Sequence, residues 1–199
     1  MIISAKFLSS LPKFDENFSA LHTEIAFLGR SNVGKSSLIN ALCHQKQLAK
    51  SSSTPGKTQL INFFEVIFKQ HDERIIVNFI DLPGFGYARV SKSLKEIWNK
   101  NLDEFLKLRN SIKLFIHLID SRHTDLELDE SVDAYLQSFL RADQKVLKVF
   151  TKSDKLNQSQ KARLKNAYKN AVLVSSYKKD GLQNLEELIL KKSLGVNGE

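Results

Sequence analysis

The chain is expected to fold as a three-layer α/β domain, a six-stranded, mostly parallel sheet with one antiparallel strand and helices on both faces. Three observations predict this. Apolar runs of strand length alternate with longer segments of helical period. A length of 199 residues suffices for one sizeable core and one domain. The eight glycines and three prolines are few, and most fall in short loops that follow or separate the apolar runs.

Strands are read at 24–28, 60–68, 74–80, 112–119, 145–150 and 171–174. Helices are read at 35–44, 94–108, 126–140, 157–169 and 182–191; in the second, Leu94, Ile97, Trp98, Leu102, Phe105 and Leu106 recur on one face. Residues 60–80 break the alternation, since two strands joined by Lys69-Gln70-His71-Asp72-Glu73 form an antiparallel hairpin. Residues 1–21 read as an N-terminal extension, 22–192 as the domain and 193–199 as a C-terminal tail. Segment 45–57, QKQLAKSSSTPGK, is polar and without period, which predicts a mobile loop.

Composition excludes several classes. Hydrophobic residues make up 42% and charged residues 26%, and no run of 18 apolar residues exists to cross a bilayer. The N-terminus, MIISAKFLSSLPKFDENF, lacks the basic-then-apolar order of a secretory signal, so a cytoplasmic protein without membrane insertion is expected. The single Cys43 excludes an internal disulfide, and its place in a helix suits a small buried residue. No Cys/His cluster has zinc spacing; His22, His44, His71, His117 and His123 form no site, and His117 in IKLFIHLID reads as a strand residue. A net charge of +8 favours acidic company such as RNA, DNA or anionic lipid.

Gly29, Gly34, Gly56, Gly84 and Gly86, with Pro55 and Pro83, lie in three loops where the backbone itself can meet a ligand. In such sheets ligands bind beyond the carboxyl ends of the strands, where these loops fall. The first loop, Gly29-Arg30-Ser31-Asn32-Val33-Gly34-Lys35-Ser36-Ser37, fits G-x-x-x-x-G-K-[ST] between a strand and a helix. Its N–H groups and the positive helix end would cradle phosphate oxygens, Lys35 would reach the β- and γ-phosphates, and the Ser36 hydroxyl would ligate magnesium. Asp81-Leu82-Pro83-Gly84 follows a strand. A carboxylate there holds magnesium through water, and the Gly84 N–H can meet a γ-phosphate. Between them Thr54 and Thr58 both offer a hydroxyl in the loop, with Gly56, Lys57, Gln59 and Leu60 around the second. Thr58 is the one next to the following strand.

The base is read by Thr151-Lys152-Ser153-Asp154. A carboxylate at Asp154 accepts from both N1–H and the 2-amino group of guanine, whereas adenine offers neither donor. A site built on such bonds discriminates by roughly 10⁴-fold. Lys152 would lay its apolar stem along the base, and Ser175-Ser176-Tyr177 would meet the base oxygen through backbone N–H groups.

With GRSNVGKSSLIN, TPGKTQLINFF, DLPGFGYA, TKSDK and SSYKKDGL in this order, the sequence resembles the YihA/EngB/YsxC family of ribosome-biogenesis GTPases, over about Lys6 to Leu190. The family sits in the TrmE-Era-EngA-like group of translation-factor-related GTPases. The resemblance implies a P-loop NTPase G domain that binds GTP and GDP with Mg²⁺ held by Ser36, Thr58 and Asp81. It also implies association with the large ribosomal subunit and its rRNA during assembly and a requirement for normal division and septation; a monomer is expected.

Two positions depart from the wider GTPase pattern. Thr151 stands where asparagine is commoner; one hydroxyl cannot match an amide's paired donor and acceptor, so modest base affinity is expected. Phe85 follows Gly84 where many GTPases carry a glutamine that orients water, so intrinsic hydrolysis is expected to be slow. Phe85 either packs away from the nucleotide or gates it. In related GTPases an asparagine matching Asn32 is associated with a K⁺ that bridges phosphates; the plain alternative is a loop-stabilising hydrogen bond. Lys35, Asn32, Thr58 and Gly84 are thus the expected catalytic set. Two groups of basic residues are candidates for RNA contact: Lys50, Lys57, Arg89, Lys92 and Lys95, and Lys161, Arg163, Lys165, Lys169, Lys178 and Lys179.

Overall fold

All six residues of the strand Glu24–Gly29 are buried, as an unbroken apolar run sandwiched between two helix layers requires. This strand lies centrally in a seven-stranded sheet. The computed structural model describes residues 1–50, 60–85, 100–124 and 127–195. In chain order the elements are β1 (Ile2–Leu11), β2 (Glu24–Gly29), α1 (Lys35–Leu42), β3 (Ile61–Gln70), β4 (Glu73–Asp81), α2 (Lys100–Leu108), β5 (Ile112–Asp120), α3 (Glu127–Gln137), β6 (Lys145–Thr151), α4 (Gln158–Ala167), β7 (Val172–Leu173) and α5 (Leu182–Leu194).

The sheet order is β1-β3-β4-β2-β5-β6-β7. β4, β2, β5, β6 and β7 run parallel, and β3 runs against β4 and β1. The single opposed strand and the hairpin agree with the sequence reading, the connection being the two residues His71 and Asp72. The strand count does not. A seventh strand, β1, comes from the segment read as an extension: Ile2 pairs with Phe68 and Leu11 with Ile61 along the edge of the sheet. Two register irregularities, at Ile2/Ser4 and Phe7/Ser9, destroy the period-2 alternation that would have announced a strand. Ile2 and Ala5 are buried, and the Glu186 carboxylate accepts from the Ile2 N–H at 2.9 Å, tying β1 to α5.

Alternation along β2 sends Ile25 and Phe27 into one core with Leu38, Ile39 and Leu42 of α1 and Leu185 and Ile189 of α5. Ala26 and Leu28 enter the opposite core with Phe105 of α2 and Val132 and Leu136 of α3. α1 and α5 therefore cover one face, α2 and α3 the other. At the foot of β2 the buried Glu24 takes a bidentate pair from Arg109, with both contacts at 2.8 Å, and a third bond from the Ser111 hydroxyl at 2.6 Å. The same guanidinium lies 5.3 Å from the Phe18 ring centroid, which fixes the chain between β1 and β2 against the second core.

The loop expected at 45–57 is in part anchored. The Asn40 amide on α1 donates to the Ala49 carbonyl at 2.9 Å and its oxygen accepts from the Ala49 N–H at 2.7 Å, burying Ala49. Residues 51–57 of that loop lie outside the described residues. The helix expected at 94–108 is described from Lys100 onward.

Candidate functional site at the carboxyl ends of the parallel strands

β2, β4, β5 and β6 all end on the same side of the sheet, at Gly29, Asp81, Asp120 and Thr151. From Gly29 the chain turns through Arg30–Gly34 into α1. Asn32 at φ 63° and Gly34 at φ 102° are both left-handed, and the Val33 N–H closes the turn on the Arg30 carbonyl at 3.1 Å. At φ 102° a side chain on residue 34 would be strained, which is why glycine stands there. The N–H groups of Lys35, Ser36 and Ser37 open α1 without intrahelical acceptors, at the positive end of its dipole. Such an end suits an anion.

The Lys35 ammonium and the Asp81 carboxylate form an ion pair, both nearly buried. The contact places the first turn of α1, with Ser36, against the end of β4. A hydroxyl and a carboxylate so placed suit a hard divalent cation such as Mg²⁺. Past Asp81 the chain stays stitched to the phosphate loop: Leu82 N–H donates to Phe27 O at 3.1 Å, Phe85 N–H to Gly29 O at 3.2 Å, and Ser31 N–H to Phe85 O at 2.8 Å. Pro83 and Gly84 bridge this stretch, and a Cβ on Gly84 would stand 3.0 Å from Ser31 Oγ and 3.2 Å from Ser31 Cα. Phe85 is 2% exposed and joins the second core, so of its two expected roles the structure displays the packed one.

β6 ends at Thr151, whose hydroxyl donates to the Val33 carbonyl at 2.6 Å; Ile119 O lies 3.3 Å away. The hydroxyl thus spans from the end of β6 to the loop between β2 and α1. Lys152 follows in a left-handed conformation, φ 58°, and its ammonium donates to Asn32 O at 2.7 Å and to Asp120 Oδ2 at 2.8 Å. Arg122 grips the same Asp120 carboxylate at 2.7 and 2.9 Å. Burial pushes the Asp120 carboxyl upward, but the hydrogen bonds from Arg122 and Lys152 outweigh it and hold the group below the usual carboxylate range.

Ser153, Asp154 and Lys155 form one 3-10 turn. Ser153 N–H donates to Val174 O at 3.1 Å and Val174 N–H to Phe150 O at 2.9 Å, which brings the segment after β7 beside Asp154. The Ser175 hydroxyl then donates to Asp154 Oδ1 at 2.7 Å, and this bond is the main cause holding the Asp154 carboxyl below its ordinary value. The Ser175 N–H is committed to Asp180 O at 3.0 Å. Ser176 is half-buried and Tyr177 is 86% exposed.

The structure therefore gathers Gly29 to Ser37, Asp81 to Gly84, Thr151 to Asp154 and Ser175 to Tyr177 at one end of the sheet. Leu60 lies just before β3, and Gly56, Lys57, Thr58 and Gln59 lie outside the described residues, as do Arg89, Lys92 and Lys95. Asp120 and Arg122 were not singled out from the sequence; the available signal was an acid closing the apolar run IKLFIHLI. His117 is a strand residue as read, but it is fully buried, with Asp129 Oδ1 at 3.7 Å and Asp133 Oδ1 at 3.9 Å. Among the described residues no helix is long and apolar enough to cross a membrane, and no group of three or more His, Cys, Asp and Glu gathers as a metal cluster.

Residues 24–152 match the family described as 50S ribosome-binding GTPase. The probable GTP-binding protein EngB of Campylobacter jejuni strain RM1221 is 71% identical over 197 residues, 99% of this chain and 100% of that protein. Among solved structures, a probable GTP-binding protein engB superposes with a TM-score of 0.58 at 22% identity, covering 87% of this chain and 100% of the other. Era in complex with MgGDPNP and nucleotides 1506-1542 of 16S ribosomal RNA superposes with a TM-score of 0.60 at 21% identity, covering 89% of this chain and 58% of that one. At these identities the two structures are alike in fold; the match in sequence over the full length is what decides the family. With a GTPase domain matched over residues 24–152 and a relative 71% identical over nearly the whole length, the chain belongs to the EngB/YihA family of GTP-binding proteins.

Proposed function

We propose that the protein is a Mg²⁺-dependent GTPase switch that assists assembly of the large ribosomal subunit and, through it, supports cell division and septation. It would work as a cytoplasmic monomer, with residues 22–192 as the G domain. The observation that carries the guanine reading is the Ser175–Asp154 hydrogen bond at 2.7 Å, which orients and keeps ionised a carboxylate in the turn after β6, the strand whose end is tied to the phosphate loop. Asp154 would accept the two guanine N–H donors, the Lys152 stem would flank the base, and Ser176 and Tyr177 would offer their N–H groups to the base oxygen. The ribosomal partner is supported by the family description and by the chain's net charge of +8.

Hydrolysis is transfer of the γ-phosphoryl group to water, which needs positioning and charge stabilisation. Lys35 would leave Asp81 for the β- and γ-phosphate oxygens, the loop N–H groups would hold the same oxygens, and the Gly84 N–H would sense the γ-phosphate. Ser36, Thr58 and Asp81 would hold Mg²⁺, which neutralises developing phosphate charge. Asn32 would hold K⁺ in the place of an orienting side chain, and equal turnover in potassium and sodium buffers would dismiss that role.

A second reading is favoured by the burial of Phe85, which puts no hydrogen-bonding side chain after Gly84: a nucleotide-gated rRNA-binding module whose hydrolysis is incidental. Co-sedimentation with large subunits in GTP-analogue, GDP and nucleotide-free conditions, run beside turnover, separates the two. Nucleotide-dependent binding with turnover stimulated by the subunit supports the switch. Binding indifferent to nucleotide removes it. For base choice, Asp154→Ala should abolish the preference for GTP over ATP, a loss of roughly 10⁴-fold in discrimination; retained preference would overturn the assignment of Asp154.

A further inference from the structure

β7 is only two residues long, and it pairs with β6 only at Val149 and Phe150. β6 itself begins at Lys145, so Lys145–Lys148 is paired with β5 on one side and, among the described residues, with no strand on the other. The chain reaching β7 makes a turn instead of a ladder: Ala171 N–H donates to Tyr168 O at 3.1 Å and Asn170 is left-handed at φ 64°. Among the described residues no hydrogen bond reaches the Lys145–Lys148 backbone from that side. An uncovered edge of four residues is about 13 Å of unpaired N–H and C=O groups.

A cleft of about 930 Å³ opens along this edge, bounded by the end of α3, the turn after α4 and the last turns of α5. It lies at the amino-terminal half of β6, the opposite end of that strand from Thr151 and Asp154. Five lysines from three separate parts of the fold line it: Lys145 and Lys148 from β6, Lys169 from the turn, and Lys191 and Lys192 from α5. One carboxylate, Asp133, stands among them and is paired with Lys148 at 2.7 Å. Between the lysines the lining is mixed, with Leu147, Val172 and Leu188 beside the amides Gln137 and Asn170.

We propose that this cleft binds an extended acidic peptide of a partner protein, which adds a strand beside Lys145–Lys148. Each part of the geometry matches one part of that ligand. The strand edge supplies main-chain hydrogen bonds, the apolar positions at Leu147, Val172 and Leu188 take side chains on one side of the added strand, and the lysine rim pairs with its carboxylates. A polyphosphate backbone would use the lysines but neither the strand edge nor the floor. The Tyr168 ring is no free stacking platform for a base, since it packs on Phe150 at 4.9 Å and its hydroxyl donates to Thr124 O at 3.2 Å. The site is separate from the nucleotide site and does not depend on the GTPase reading.

The test uses the full chain and a fluorescein-labelled twelve-residue peptide of alternating glutamate and valine, read by anisotropy at physiological salt. Saturable binding is expected, weakened at least about tenfold by the double substitution K145E/K191E. The same peptide N-methylated on alternate amides, which cannot complete a ladder, should bind at least about tenfold more weakly. Unchanged GDP affinity of the double variant shows that it is folded. Equal binding of the methylated peptide, or no effect of K145E/K191E, overturns the proposal. So does a twelve-nucleotide oligouridylate that binds more tightly than the peptide and loses its affinity in K145E/K191E, which would make the cleft an RNA site.

Discussion

The Thr151 hydroxyl donates to the Val33 carbonyl across 2.6 Å, joining the end of β6 to the middle of the loop between β2 and α1. Both residues are buried, so the bond is not shared with water. Thr151, the position where asparagine is commoner, thus ties the end of β6 to the loop between β2 and α1. Thr151→Val keeps the shape and removes the donor. It should destabilise the protein by about 1–3 kcal/mol, the range for leaving a buried acceptor unsatisfied. GDP affinity should fall about tenfold, and Thr151→Ser should restore both. Thermal melting and GDP titration of the three proteins check this; a valine variant with parental GDP affinity would dismiss the tie.

Gly84 has backbone of the phosphate loop against it, with Ser31 Cα 3.2 Å from where a Cβ would sit. Gly84→Ala must push the two loops apart at an overpacking cost of about 1–3 kcal/mol. The N–H expected to meet the γ-phosphate moves with the loop, whereas GDP lacks that phosphate. GTP turnover should drop about tenfold while GDP affinity stays within about twofold. Phosphate release and GDP titration read the two effects, and an equal loss of both would show a general collapse instead.

His117 is enclosed by Asp129 and Asp133, and Lys148 faces the second of these. Burial opposes its charge, but the two carboxylates outweigh burial and raise its pKa above the ordinary 6.5. A raised folded-state value contributes stability that is full below about pH 6.5 and is lost as pH rises through the folded value. The melting temperature should therefore decline as pH is raised above about 6.5, and this component should vanish in His117→Gln. Melting curves between pH 6 and 9 decide it; an identical slope in the variant would refute the assignment.

Cys43 follows α1 with 4% of its surface exposed, and burial, with Glu186 nearby, pushes its thiol from 9.0 up to about 12. The thiolate fraction at pH 8 then falls roughly a thousandfold against an ordinary thiol. Reaction with an aromatic disulfide reagent should be negligible in the native protein and immediate in urea. Prompt labelling of the native chain would mean that this corner of the first core opens readily.

The sequence alone determined the alternation of strands and helices, the hairpin, and the loops at the strand ends, because dense apolar runs such as IAFL and LFIHLI can only be buried and G-x-x-x-x-G-K-S carries its own backbone geometry. Those are local properties. What joins distant segments was decided by tertiary structure. β1 was invisible because its bulged pairing with β3 scrambles the period that marks a strand. Asp120 became part of the site only when Lys152, 32 residues later, folded back to it. Likewise Thr151 meets Val33 across 118 residues, and the lysines of the β6 cleft come together from β6, the turn before β7 and α5. A hydrogen bond or a charge cluster depends on distance in space, which the order of residues does not state until the chain is packed.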